Sequence, residues 1–188
     1  LPNIWSKISN KIKKGDNKER IHEDSISINI DSPEALEEVF WKTKLQKIYI
    51  LFNKLVSHKV DDFTINEFKN YVSLILLKYK KKIYLSKNNN NVEKIDILSD
   101  SLENKFILIL FRNPINQAFS LLNQHINFTK LQLEDPFVLE YMNLLSHNEF
   151  GLNHKPLFDK NFKSNFDKND INYWLDYWIF IYSKVSKY

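Results

Sequence analysis

The chain has 188 residues, of which 43% are hydrophobic and 27% charged, a balance that excludes general disorder and suits one folded domain with a sizeable core. A formal net charge of +4 favours anionic partners, but lysines and acids are interspersed without a long basic block, so a nucleotide fits as well as a nucleic acid. The absence of cysteine excludes disulfides, thiolate zinc sites and a cysteine nucleophile.

Residues 1–31 read as an irregular N-terminal arm and residues 32–188 as the body of a single domain. The arm carries Lys11, Lys13, Lys14, Gly15, Asp16, Asn17 and Lys18, then Ile26, Ile28 and Ile30 alternating with polar residues, the pattern of a short strand or extended arm. His22, Glu23 and Asp24 read as a solvated turn. Ser32-Pro33-Glu34 is a helix start, with a serine cap, proline at the first position and Glu34, Glu37 and Glu38 near the positive end of the dipole.

Helical spacing resumes over 44–57, and Asp61 to Thr64 offers a break before a longer helix over 65–80 that carries Phe68, Val72, Ile75 and Leu76 inward. Ile83-Tyr84-Leu85 reads as a strand, 91–99 as a helix and 105–111 as a second, buried strand. That order predicts a βαβ arrangement: an α/β fold with a parallel sheet flanked by helices, whose ligand crevice lies beyond the carboxyl ends of the strands. A helix over 114–127 follows. Asp135-Pro136 starts another, Gly151 ends it or turns the chain after it, and Asn169 or Asp170 caps a last helix. Trp174, Tyr177, Trp178 and Tyr182 recur on that helix at the spacing of a packing face.

Each predicted strand ends in a polar turn, Ser86-Lys87-Asn88-Asn89-Asn90 and Arg112-Asn113-Pro114. Asn113 can cap the next helix and Pro114 can take its first position, so unpaired N–H groups and the helix dipole gather beside Arg112. Arginine occurs only at Arg20 and Arg112. A guanidinium there offers the planar, bidentate anion recognition that lysine cannot copy.

These residues resemble the sulfotransferases that use 3′-phosphoadenosine 5′-phosphosulfate (PAPS), in particular a bacterial branch. The likeness is carried by Tyr84 to Asn89, by Phe111 to Pro114 and by Ser120 eight positions after Arg112. It is extended by Asp135 to Val138, His147 to Gly151 and Tyr173-Trp174. The resemblance implies a P-loop nucleotide-kinase-like fold and transfer of a sulfuryl group to a hydroxyl or amine of a small-molecule, glycan or lipid acceptor, with no metal. It further implies that Arg112 and Ser120 hold the donor's 3′-phosphate and that Lys87 with Asn88 lines the reaction centre. His125, His147, Glu149 and His154 are candidates for the base. The family's glycine-containing loop for the 5′-phosphosulfate has no counterpart, because Gly15 and Gly151 are the only glycines. The chain, which opens on Leu1, is therefore expected to be N-terminally truncated, beginning downstream of that loop. The alternative is a non-catalytic nucleotide-binding or protein-interaction module derived from the same fold. No run of about 18 apolar residues is present, so no membrane span is expected and the location expected is cytoplasmic.

Overall fold

The protein is described as a computed structural model covering residues 18–19, 25, 27–28, 37–56, 58–157 and 163–188. The chain divides into two compact units, Leu1–Glu34 and Ala35–Tyr188. Gly15, His22 to Asp24 and the helix start at Ser32 lie outside the described residues.

In the first unit, β1 (Lys18–Glu19) pairs antiparallel with β2 (Ser27–Ile28), Lys18 opposite Ile28 and Glu19 opposite Ser27. Ser25 turns the chain with a positive φ of 61° and donates its N–H to the Glu19 carboxylate at 2.7 Å.

The second unit is helical: α1 (Glu37–Tyr49), α2 (Asp62–Tyr79), a short 3-10 helix (Asn89–Glu93), α3 (Ile95–Ser101), α4 (Pro114–Glu134), α5 (Pro136–Leu145) and α6 (Ile171–Val185). Of the described residues 59% are helical and 3% are strand, so the expected parallel sheet, and with it the α/β nucleotide-kinase-like fold, is overturned. Residues 83–85 and 105–111, expected as its strands, form no ladder. The physical reason is that a β-prone run becomes a strand only when neighbours accept its backbone hydrogen bonds and cover its faces. Among the described residues no backbone group pairs with either run.

The helices themselves follow from local chemistry. Asp61 accepts the Thr64 N–H at 2.8 Å and starts α2 three residues before the expected position. Asn113 accepts the Asn116 N–H at 3.1 Å, Pro114 takes the first position, and α4 runs two turns beyond the expected end to Glu134. Asp135 closes α4 and caps α5 through the Phe137 N–H at 3.0 Å. Asp170 caps α6 through the Asn172 N–H at 2.8 Å.

Two clusters hold the unit together. Trp41, Leu45 and Tyr49, four residues apart on one face of α1, join Leu55, Phe68 and Leu157 in a fully buried group. Leu55 is tied there by donating its N–H to Pro156 O at 2.9 Å. The second cluster forms where α6 lies along α4, and places Trp174 against His125, Phe150 and His154. The aromatic repeat of α6 is a packing face.

Candidate functional site

The polar turn at Lys87 is fixed from below by the first turn of α1. Glu37, buried, accepts the Tyr84 hydroxyl at 2.9 Å, the Ser86 hydroxyl at 2.5 Å and the Trp41 indole N–H at 3.3 Å. Glu38, also buried, accepts the Asn88 amide at 2.5 Å, the Tyr49 hydroxyl, and the Lys94 ammonium at 3.1 Å. Lys94 is wholly buried, donates also to Asn90 O at 3.3 Å and lies over the Trp41 and Tyr49 rings. Burial lowers the Lys94 pKa, opposed mainly by Glu38. Burial, reinforced by the neighbouring carboxylates, raises those of Tyr49 and Tyr84. Every strong donor in this network has an acceptor, so it is a closed clamp. Its product is the anchoring of the turn: the Ser86 and Asn88 side chains on either side of Lys87 are bonded to Glu37 and Glu38, and Lys87 is exposed.

Asn88, expected to face a nucleotide, thus spends its amide on Glu38 and its side-chain oxygen on the Asn90 N–H at 2.9 Å. Glu37, Glu38 and Lys94 escaped sequence reasoning. The two acids carried a signal only as helix-dipole residues, and a partner 56 positions away leaves no local trace.

The start of α4 is the second element. Phe111 packs edge-on against Trp178 and Tyr182, the Tyr182 hydroxyl donates to Leu110 O at 2.6 Å, and the Trp178 indole donates to Gln117 at 3.2 Å. These contacts fix the approach of the chain to Asn113. Arg112 is exposed, and among the described residues it has no hydrogen bond or ion pair. Ser120 is half-buried two turns down α4, on the face of Asn113 and roughly 10 Å along the axis. An anion shared by the two requires the Arg112 side chain to run back along the helix.

The histidines divide sharply. His125 is buried on α4 and its Nδ1 accepts the Gly151 N–H at 3.1 Å. His154, buried beside it with ring centroids 5.6 Å apart, contacts the Tyr173 hydroxyl through Nε2 at 2.8 Å and Asn148 O through Nδ1 at 3.2 Å. Burial, with Lys168 nearby, pushes the pKa of His125 down to about 4 and that of His154 down to about 3. Both are neutral internal struts around the turn of Gly151. His147, in contrast, is partly exposed, with Nδ1 3.6 Å from the Glu149 carboxylate. Gly151 does not end α5, which closes at Ser146 in the left-handed region. It turns the chain with φ of +82° against Gln132.

An open hollow of about 550 Å³ lies against α4 and the start of α6, lined by Phe119, Leu122, Asp167, Asn169, Asp170 and Ile171. It contains neither Arg112 nor Lys87, and its two carboxylates cap neighbouring N–H groups. It is no anion site. Among the described residues no three His, Cys, Asp or Glu side chains gather as a metal-binding group, and no helix is long and apolar enough to cross a membrane. Compared with known proteins, the chain matches no family model, no curated protein and no solved structure.

Proposed function

We propose that this chain binds the 3′-phosphate of PAPS and takes part in transferring its sulfuryl group to a hydroxyl or amine. The observation that carries the reading is Arg112: an exposed, unengaged guanidinium held directly before the positive end of α4, where Pro114 has no N–H, Asn113 takes that of Asn116 and the N–H of Ile115 is left for an anion. The resemblance of Tyr84 to Ser120 to that family supplies the nature of the anion. The reading rests on these side chains and not on a sheet.

In the reaction the bond between sulfur and the bridging oxygen of the donor breaks as the acceptor oxygen or nitrogen bonds to sulfur. The leaving product is 3′-phosphoadenosine 5′-phosphate, and the acceptor's proton passes to a base. Lys87, exposed on the turn that Glu37 and Glu38 anchor, is suited to balance the charge that develops on the leaving oxygen. For the base, the geometry favours His147: its imidazole is accessible and beside a carboxylate, whereas His125 is buried with Nδ1 occupied by the Gly151 N–H.

Calorimetric titration with 3′-phosphoadenosine 5′-phosphate tests the reading. Arg112→Ala removes a charge-assisted contact and should weaken binding by about 1.5–3 kcal/mol. Equal affinities, or no binding by the unsubstituted chain, would remove the donor site. A second reading, a protein-interaction module without turnover, draws on the exposed apolar run at 106–111. Nucleotide binding with no sulfuryl transfer to any hydroxyl or amine acceptor would favour it.

A further inference from the structure

Lysines and acids are interspersed along most of the chain, but from Phe68 to Leu85 there are five lysines, Lys69, Lys78, Lys80, Lys81 and Lys82, and no acid. That stretch holds more positive charge than the net +4 of the whole chain. All five are exposed, and among the described residues none has a carboxylate partner. The dipole of α2 draws cations to its last turn, which accounts for Lys78 and Lys80 but not for Lys81 and Lys82 beyond it.

Apolar side chains stand bare among these cations: Leu74, Leu77, Tyr79, Ile83 and Leu85 are between 60% and 91% exposed. Leu74, Leu77 and Lys78 stand at i, i+3 and i+4, neighbours on one face of α2. The backbone that follows is tied down. Lys80 closes α2 in the left-handed region with φ of 52° and donates its N–H to Leu77 O at 3.2 Å, and the Lys81 N–H goes to Leu76 O at 2.9 Å. Further on, the Tyr84 hydroxyl donates to Glu37 at 2.9 Å. The segment is thus held to α2 at one end and to α1 at the other.

We propose that the end of α2 and residues 80–85 dock on the surface of an anionic lipid bilayer, the lysines meeting the headgroups and Leu74, Leu77, Ile83 and Leu85 reaching the acyl boundary. The charge requires an anionic partner, and the mixture of side chains selects which one. A nucleic acid supplies the charge but is gripped through aromatic faces between the cations, and Tyr79 is the one exposed ring from Phe68 to Leu85. The core of a protein interface is depleted of lysine, which here is interleaved with the exposed leucines. An anionic bilayer takes both kinds of side chain, ammonium groups at the headgroups and aliphatic groups just beneath them. Tyr79 suits the level between the two.

The test is co-sedimentation of the whole chain with vesicles of phosphatidylcholine alone and of phosphatidylcholine mixed with phosphatidylserine. Binding is expected to the mixed vesicles and not to the neutral ones, falling as salt is raised and screens the exposed charges. Each lysine near such a surface is worth about fivefold, so Lys78→Gln, Lys81→Gln and Lys82→Gln combined should weaken binding by about tenfold or more. Leu77→Gln with Leu85→Gln should weaken it at unchanged charge, and far-UV circular dichroism of both variants should match the native chain. The chain has no cysteine, so Leu85→Cys can carry a single environment-sensitive fluorophore, whose emission should shift to the blue on the mixed vesicles only. No binding to the mixed vesicles, equal binding to the neutral ones, native affinity in the lysine variant or an unshifted fluorophore would overturn the proposal. So would tighter binding of a single-stranded oligonucleotide that the lysine variant loses and the leucine variant keeps, because the surface would then serve a nucleic acid.

Discussion

Glu38 is the residue on which the polar turn depends. It is the shared acceptor for Lys94, Tyr49 and Asn88, and the pair it forms with Lys94 is almost fully buried on both sides. Removing one partner of such a pair leaves an uncompensated charge in the interior, which costs about 3–5 kcal/mol. Glu38→Gln should therefore lower stability by that amount in urea denaturation, and adding Lys94→Met should recover much of it. A Glu38→Gln loss of only a few tenths of a kcal/mol would mean that water reaches the lysine. Gly151 is the other residue with a definite cost: a Cβ there would sit 2.2 Å from Gln132 Oε1, in a backbone conformation that side chains rarely adopt. Gly151→Ala should cost about 1–3 kcal/mol, read as a fall in melting temperature. An unchanged melting temperature would contradict it.

Among the elements, the contact between α4 and the segment joining α5 to α6 carries the pH dependence. His125 and His154 are buried neutral, with pKa values pushed down to about 4 and about 3, whereas in the unfolded chain each titrates near 6.5. Between those limits the unfolded state binds more protons, so stability rises with pH. The contribution is complete above about pH 6.5 and is lost as pH falls toward the folded values. Near pH 5 the pair should impose a slope of about 2.5 kcal/mol per pH unit. Urea midpoints measured from pH 7 to pH 4 on the native chain and on His125→Gln check this, the variant showing about half the slope. Equal slopes would place His125 outside the effect. The turn illustrates what sequence conveys about elements. Asp61, Asn113-Pro114, Asp135-Pro136 and Asp170 announce helix starts because a cap acts over three residues. The role of His125 as a strut for Gly151 was hidden, since that contact joins positions 26 apart.

At the scale of the whole molecule, the same distinction separates what was legible from what was not. Caps and apolar spacing locate α2 and α4 to α6, and the α6 aromatics form the packing face that their spacing predicts. Strand propensity at 83–85 and 105–111 was equally visible, but a sheet is a property of several chain segments at once, and the described residues supply no neighbour for either run. Candidate site residues were legible as types and not as a constellation. Arg112 and Lys87 stand exposed, Asn88 is bonded to Glu38, and the histidines split between the buried His125 and His154 and the partly exposed imidazole of His147.

The central claim, that Arg112 receives a 3′-phosphate, is tested most directly by a cycle of two ligands and two proteins. Calorimetry compares 3′-phosphoadenosine 5′-phosphate with adenosine 5′-phosphate on the native chain and on Arg112→Ala. The account predicts that the native chain prefers the ligand with the 3′-phosphate by tenfold or more and that Arg112→Ala removes this preference while leaving adenosine 5′-phosphate binding unchanged. A preference of equal size in both proteins, or none in the native chain, would contradict it.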